Sequence, residues 1–127
     1  MKYTDFLKDF MYYNIYKSKH EYLQAIDLKA DTIVTESMSH LCKIEDMYVS
    51  DVEPVLLTGE ILLANGFKST SPKYYVYEPG NLVIMMDNEG FSIGICFVKR
   101  HYKYVHELQN ILRVIGCDKF ANNLIIK

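Results

Sequence analysis

Residues 73–98 read KYYVYEPGNLVIMMDNEGFSIGICFV and carry the clearest pattern in the chain. Apolar residues alternate around two turn sequences, Pro79-Gly80 and the tetrapeptide Asp-Asn-Glu-Gly at 87–90. A two-residue period places alternate side chains on opposite faces of a strand, and these turn residues join antiparallel strands. The segment therefore predicts a three-stranded antiparallel meander. Its bulky face is expected to contain Leu82, Ile84, Phe91, Ile93, Ile95 and Phe97.

A helical period follows the meander. Between residues 103 and 115, apolar residues recur at the three- and four-residue spacing of an amphipathic helix, and Gly116 can end that helix in the left-handed conformation. We expect the helix to cover the bulky face of the meander, because an apolar sheet face needs a second layer. Residues 124–126 are apolar and predict a final edge strand.

A second, shorter helix is predicted before the meander. Thr58 is a suitable N-cap for a helix that carries Ile61 and Leu62. Asn65-Gly66 would end this helix, and Phe67 would fold back on its last turn. Residues 44–57 have mixed polarity and contain a proline, so they are interpreted as a connector with at most a short extended piece around Tyr48–Val49.

The first 50 residues are interpreted as a helical segment. An apolar stripe from Tyr3 to Met11 predicts a helix over 4–17. The sequence Ser-Lys-His-Glu at 18–21 matches a capping box and predicts a second helix to about Asp27. A third helix is expected from Asp31 or Thr32 to Leu41. The predicted fold class is therefore α+β, with a helical segment over 1–50 and a module over 51–127 that together form one compact unit. The module comprises a short helix, a three-stranded antiparallel meander and a C-terminal covering helix.

Composition limits the function classes. The chain has 127 residues, half of them hydrophobic, and a net charge of −2, which fits one soluble domain and disfavours a generic polyanion binder. Charged residues interrupt every apolar run in the first 20 positions, and no stretch approaches the ~20 residues of a membrane span. We therefore expect a cytoplasmic protein of the host cell, without membrane contact. The three cysteines show no metal-ligand spacing, so no metal or cofactor is expected.

The C-terminal third is basic, with 6 basic and 2 acidic residues over 91–127. On the last predicted helix, basic and polar residues share the side opposite the apolar face, which suits an acidic protein patch or an RNA backbone. The chain also has 11 tyrosines and no tryptophan, and tyrosine is typical of protein interfaces. The alternative is an ordinary solvated helix face. The predicted partner-binding residues are Lys99, Arg100, Lys103, His106, Asn110, Arg113, Tyr12 and Tyr16.

No catalytic signature is present. His106 and Glu107 are adjacent and point about 100° apart on a helix, so they do not form a dyad by themselves. The second and third predicted helices resemble a helix-turn-helix, but Asp31 and Glu36 on the would-be recognition helix would repel phosphates. We therefore expect no catalytic residues, with a small hydrolase as a distant third interpretation.

Two stretches resemble a group of small, uncharacterised proteins of bacteriophages and mobile elements. Residues 51–67 read DVEPVLLTGEILLANGF, similar to that group's IEPIPLTEEILLKNGF-like segment, and residues 104–110 read YVHELQN, similar to its C-terminal helix. The resemblance covers roughly the last 75 residues. It implies a phage-like origin, and such proteins often bind a host or defence macromolecule, as anti-CRISPR proteins do.

The sequence therefore predicts a non-catalytic phage or mobile-element accessory protein that binds a macromolecular target. Its sharpest form is an inhibitor of a host defence nucleoprotein complex, which is anti-CRISPR-like. The alternative is a nucleic-acid-binding regulator that uses the basic C-terminal helix and binds RNA. The tyrosines and the apolar far side of the meander, with Val83, Met85 and Val98, also suggest a homodimer.

Overall fold

The computed structural model of the chain describes residues 13–39, 43–94 and 102–126. They divide into two compact units. The first contains the described residues up to Val55 together with Val105–Asn122, and the second contains Leu56–Tyr104 together with the residues after Asn122. The predicted division at residues 50 and 51 differs from this one, because the first unit also takes in Val105–Asn122.

The first unit is built on an antiparallel sheet, called here the first sheet. Its strands in spatial order are β4, β3, β2, β1 and β5, and every described pair is antiparallel. Their bounds are β1 Ile15–Lys17, β2 Tyr22–Leu28, β3 Thr32–Ser37, β4 Ile44–Tyr48 and β5 Glu53–Pro54. A 3₁₀ turn, Val49–Asp51, lies between β4 and β5.

The predicted N-terminal helices are therefore wrong wherever the structure describes them. The last residues of the helix predicted over 4–17 form β1 instead. The segments predicted as the second and third helices form β2 and β3. Residues 1–12 lie outside the described residues. In β3, Ile33, Thr35 and Ser37 are buried and alternate with half-buried side chains, which is a period of two. β-branched residues pack well on a pleated surface and lose side-chain freedom in a helix, which favours the strand.

The four residues that match a capping box form the turn between β1 and β2 instead. The Ser18 amide donates to the Glu21 carbonyl oxygen at 2.9 Å. The Glu21 carboxylate accepts from the Ser37 hydroxyl of β3 at 2.8 Å and does not act as a helix cap. A hairpin turn and a helix start both use short polar residues, so the motif alone did not separate them.

Two helices complete the first unit, α2 Val105–Val114 and α3 Asp118–Asn122. Helix α1, Gly59–Ala64, precedes them in the chain and lies in the second unit. Helix α2 forms near its predicted bounds and ends before Gly116, whose φ is +88°. Within its unit it packs against β1 of the first sheet, a strand that the sequence interpretation treated as helical. The adjoining core comprises Tyr16, Ala25, Ile33, Val49 and Val52.

The second unit begins with α1, which confirms the predicted short helix. The Thr58 hydroxyl accepts from the Ile61 amide at 3.3 Å, as an N-cap does. Gly66 has φ +90°, and the Phe67 amide donates back to the Leu62 carbonyl oxygen at 3.1 Å. The chain then enters the second sheet with Phe67 buried.

The second sheet contains the predicted meander. Its strands are β6 Lys68–Ser71, β7 Tyr74–Tyr77, β8 Leu82–Asp87 and β9 Gly90–Ile93, in that spatial order and all antiparallel. The strands and turns predicted over 74–93 are confirmed, and residues 95–101 lie outside the described residues. Strand β6 was missed because its Lys-Ser-Thr-Ser sequence has no apolar period.

The predicted fold class is wrong overall. The described chain is mostly β, with antiparallel sheets of five and four strands and only short helices, in place of a helical segment followed by a three-stranded meander. Residues 124–126 do not form the predicted edge strand. Asn65 instead holds this segment, since its side-chain amide donates to the Ile125 carbonyl oxygen and accepts from the Ile125 amide at 2.8 and 2.7 Å.

Candidate functional site

The predicted partner-binding stripe is only partly an exposed surface. Lys99, Arg100 and Tyr12 lie outside the described residues. The described members are Lys103, His106, Asn110, Arg113 and Tyr16, of which all except Lys103 lie in the first unit.

His106 and Tyr16 come together, but inside the first unit. Tyr16 on β1 is fully buried, and His106 on α2 is 2% exposed. Their ring centroids are 5.2 Å apart at an interplanar angle of 31°. The expectation that His106 lies on the exposed side of α2 is therefore wrong, and Tyr16 is not accessible to a partner in this fold.

Arg113 and Asn110 belong to a polar cluster that joins α2 to its neighbours. The Arg113 guanidinium donates through Nε and Nη2 to Asn122 Oδ1 at 3.1 and 3.0 Å, and through Nη1 to Asn14 Oδ1. Asn110 Oδ1 accepts from Arg113 Nη1 at 3.3 Å and from Asn14 Nδ2 at 3.1 Å. Burial lowers the pKa of Arg113, and the nearby Asp118 carboxylate opposes that shift. The cluster therefore fixes α2 in place and is half removed from solvent.

Gln109 is the residue of this helix that the sequence interpretation missed. It is fully buried, and its Oε1 accepts from the Ile15 amide at 2.8 Å. Its Nε2 donates to the carbonyl oxygens of Tyr13 and Ala121, both at 3.0 Å. The signal was present in the sequence, because Gln109 is four residues after Val105 and three before Leu112, in an apolar row. A polar residue in that row indicates a buried hydrogen-bonding site.

Lys103 is exposed and lines a small cleft of the second unit. The cleft has a volume of about 270 Å³, and Leu56, Leu57 and the β8–β9 turn form its other walls. The turn is held by Asp87 Oδ1, which accepts from the amides of Glu89 and Gly90 at 2.8 and 3.0 Å. This cleft is small and shallow, so it offers little enclosure for a ligand.

The most prominent exposed apolar feature of the first sheet lies on β4. Ile44 is 59% exposed and Tyr48 is 62% exposed, and Asp46 stands between them on the same face. We call these three residues the β4 edge. Beside it, Lys29 pairs with Asp46 at 3.0 Å. An outer strand with unpaired N–H and C=O groups and exposed apolar side chains can pair with another chain.

The backbone of the β4 edge faces away from β3. The Ser37 amide donates to the Lys43 carbonyl oxygen, and the Val49 amide donates to the Asp31 carbonyl oxygen. Antiparallel pairs alternate between those that exchange hydrogen bonds and those that do not. Ile44, Asp46 and Tyr48 therefore belong to the second kind, with their N–H and C=O groups directed outward. Among the described residues, β4 is the outermost strand on this side of the sheet.

A polar cleft of about 630 Å³ opens on the other face of β4. Its charged residues include two lysines and four carboxylates, so it is acidic overall. Lys43 pairs with Glu45 at 3.0 Å and lies 3.9 Å from Glu21, and the hydrogen bond with Glu45 raises the pKa of Lys43. The lining residues are Ser18, Lys19, His20, Glu21, Ser39, Lys43, Glu45, Met47, Ser50, Asp51 and Glu53.

The comparisons with known proteins add no further information about the site. No protein-family model, curated protein or solved structure matches the chain. Among residues 13–39, 43–94 and 102–126, no three His, Cys, Asp or Glu side chains are grouped as metal ligands. None of the helices in those ranges is long and apolar enough to cross a membrane.

Proposed function

We propose that this chain is a non-catalytic protein that binds a macromolecular partner, and that the partner is a protein. The observation that carries the proposal is the β4 edge, where Ile44 and Tyr48 are more than half exposed beside outward-facing backbone groups. A partner surface that covered the Ile44 and Tyr48 side chains would remove their apolar area from water, which is favourable. The acidic cleft lies on the other face of the same strand and is a separate surface.

The sharper form of the proposal is inhibition of a host defence nucleoprotein complex. It draws on the phage-like sequences at 51–67 and 104–110, since small phage proteins often block such complexes by occupying a protein surface. The outer strand β6 of the second sheet carries only Lys, Ser and Thr, so the two exposed apolar residues of β4 are consistent with one dedicated contact.

The alternative, a nucleic-acid-binding regulator, has less support. It relied on the basic stripe of α2, but His106 is buried and Arg113 is engaged by Asn14 and Asn122. A guanidinium whose N–H groups are already donated within the protein has fewer left to bind phosphates. Of the basic stripe residues that the structure describes, Lys103 alone is exposed.

Capture from host-cell extract tests the proposal. The intact chain is immobilised and incubated with extract at low and high salt, with and without nuclease, and bound protein and nucleic acid are identified. We expect a specific protein that survives nuclease and high salt. A matched pair of variants places the contact: Ile44→Asp should abolish capture, whereas Val114→Asp should not, although Val114 is 84% exposed.

Two outcomes would contradict the proposal. If nothing specific is captured, the chain does not bind a macromolecule of that host. If the captured material disappears with nuclease, and affinity falls with a log–log salt slope of roughly −0.7 per single-strand phosphate, the partner is a nucleic acid. The sharper form is tested in cells with an active defence system, where the chain should restore phage growth and Ile44→Asp should not.

A further inference from the structure

We propose that β4 accepts an extended protein segment as an additional antiparallel strand, and that this segment carries a lysine or arginine opposite Asp46 with apolar residues two positions before and after it. This inference rests on the proposed function and adds to it the conformation and the sequence class of the partner. It follows from the backbone of the β4 edge, from the other strand edges, and from the local charge.

The backbone at β4 can receive a strand without rearrangement. The N–H and C=O groups of Ile44, Asp46 and Tyr48 point away from β3, which leaves three residues able to exchange hydrogen bonds with a neighbour. An extended peptide that adds to a sheet edge uses such groups for affinity and alternate side chains for specificity. Because the open residues share one face, the side chains of the added strand would meet Ile44, Asp46 and Tyr48 directly.

The other strand edges among the described residues are closed in recognisable ways. The opposite end of the first sheet is β5, which has two residues and includes Pro54. In the second sheet, β6 presents Lys68 and small polar residues, and β9 is bridged by Tyr102 through two hydrogen bonds with Phe91 at 2.6 and 2.9 Å. Proline, lysine and a covering segment are common means of blocking strand addition. Strand β4 is longer than β5 and more apolar than β6.

The charge around β4 selects a basic partner over a second copy of the chain. The register that pairs all of β4 with a second copy places the two Asp46 carboxylates side by side, and like charges directly opposite are destabilising. Asp27 and Glu36 lie on the same face of the sheet as Asp46 and add to its negative charge. The pairing places Asp27 opposite Val34, which is itself opposite Asp46. Glu36 is opposite Ile44. Lys29 offsets only one of these carboxylates. A cation at the centre of the added strand would complement this excess.

The test uses a defined peptide. The probe is an end-blocked heptapeptide with the sequence Thr-Val-Thr-Lys-Thr-Val-Thr, which places the lysine at its centre and a valine two positions to either side. Its binding is followed by amide chemical shifts of the intact chain. We expect saturable shifts centred on Ile44, Asp46 and Tyr48. Replacing the central lysine by glutamate should weaken binding roughly 5-fold. Methylating the lysine amide nitrogen should abolish binding, whereas methylating a neighbouring threonine amide, which points away from β4, should not.

A pair of variants tests the backbone contact from the protein side. Tyr48 has φ −64°, which is the value that proline requires, and its N–H is directed outward. Tyr48→Pro therefore removes an open donor without removing a β3–β4 hydrogen bond, and Tyr48→Ala removes the ring but keeps the donor. We expect Tyr48→Pro to bind the peptide roughly 2- to 10-fold more weakly than Tyr48→Ala. Should Tyr48→Pro fail to fold, the methylated peptides still decide the question.

Several outcomes would overturn the inference. The first is that the peptide shifts amide signals away from β4, and the second is that the lysine and glutamate peptides bind equally well. The third is that the two methylated peptides bind equally well. The fourth is that the chain forms a dimer which Tyr48→Pro dissociates. Its failure is distinguishable from failure of the proposed function. If Ile44→Asp abolishes capture from host extract while Tyr48→Pro and Tyr48→Ala capture equally, the chain binds a protein through β4 side chains, but not by strand addition.

Discussion

At the scale of single residues, α2 shows how a polar side chain can belong to a core. Gln109 satisfies the Ile15 amide and two carbonyl oxygens at once, and it has no exposed surface. The same helix buries His106 against Tyr16. Sequence spacing located the apolar row of α2 correctly but assigned the polar residues to solvent, because a helical wheel carries no information about backbone groups on a neighbouring strand.

Replacing Gln109 by leucine should destabilise the first unit. Leucine has a similar volume but removes the buried hydrogen bonds to the Ile15 amide and the Ala121 carbonyl oxygen, and the partly buried one to the Tyr13 carbonyl oxygen. Unsatisfied buried groups cost about 1–3 kcal/mol each, and partial relaxation leads us to expect a total loss of about 3 kcal/mol. Urea unfolding measures this change. Val114→Leu, on the exposed side of the same helix, is the control and should change stability by less than about 0.5 kcal/mol. Equal stability of Gln109→Leu and the wild type would contradict the assigned contacts.

Two glycines with positive φ offer a second comparison. Gly90 in the β8–β9 turn has φ +146°, and a Cβ there would lie 2.2 Å from the Tyr102 carbonyl oxygen. Gly116 after α2 has φ +88°, and apart from Gly116 and its two chain neighbours no residue comes within 4 Å of its Cβ position. We expect Gly116→Ala to cost about 1 kcal/mol, from backbone strain alone. Gly90→Ala should cost at least about 2 kcal/mol more, because the backbone of Tyr102 must also move. Thermal unfolding of both variants gives the difference, and similar losses would mean that Tyr102 does not cover this turn.

At the scale of elements, the sequence was informative where the period and the turn residues agreed. The second sheet was predicted from 74 to 93 because Pro79-Gly80 and the turn at 87–90 both interrupt an alternating apolar pattern. Helix α1 was predicted because Thr58 can cap its start and Gly66 can end it, and both residues do so in the structure. In the first sheet the signals conflicted. In β2, a register shift after Ala25 breaks the alternation, so its apolar residues also fit a helical spacing.

The site was predictable only in part. The residues of β4 read Ile-Glu-Asp-Met-Tyr, with no continuous apolar row, so sequence alone assigned them to a connector. The character of β4 as an edge depends on its pairing with β3, and pairing is a non-local property. Conversely, the basic stripe was visible in the sequence, but the burial of His106 depends on Tyr16 of β1, a strand 90 positions earlier in the chain.

Hydrogen exchange should show the alternation of β4 directly. The amides of Glu45 and Met47 face β3 and should exchange slowly, whereas those of Ile44, Asp46 and Tyr48 face outward and should exchange at nearly the rate of an unstructured peptide. The measurement is residue-resolved exchange on the intact chain by NMR. Uniform protection along β4 would mean that another strand already covers it. Uniformly fast exchange would mean that β3 and β4 do not pair in solution.

At the scale of the whole molecule, the question is whether the open edge of β4 could form the predicted homodimer. An apolar outer strand invites self-association, and the protein has Ile44 and Tyr48 exposed at that position. Asp46 lies between them and would face its own copy in the fully paired register. β4 therefore gives no support to the homodimer that the sequence predicts from the tyrosines and the apolar far side of the meander.

Replacing Asp46 by valine tests whether this carboxylate keeps copies of the chain apart. Valine suits a strand, removes the repulsion between paired copies, and completes an apolar row from Ile44 to Tyr48. It also frees Lys29, which is about half exposed and can be hydrated. We expect the wild type to show no dimer that depends on β4 in sedimentation equilibrium, and Asp46→Val to form dimers or larger species. Asp46→Asn is the control for loss of the charge without a gain of apolar area and should associate less. Adding Tyr48→Pro to Asp46→Val should reduce the association, because that change removes an outward N–H from the same edge. If Asp46→Val shows the same association as the wild type over the same concentration range, repulsion at Asp46 does not limit pairing through β4.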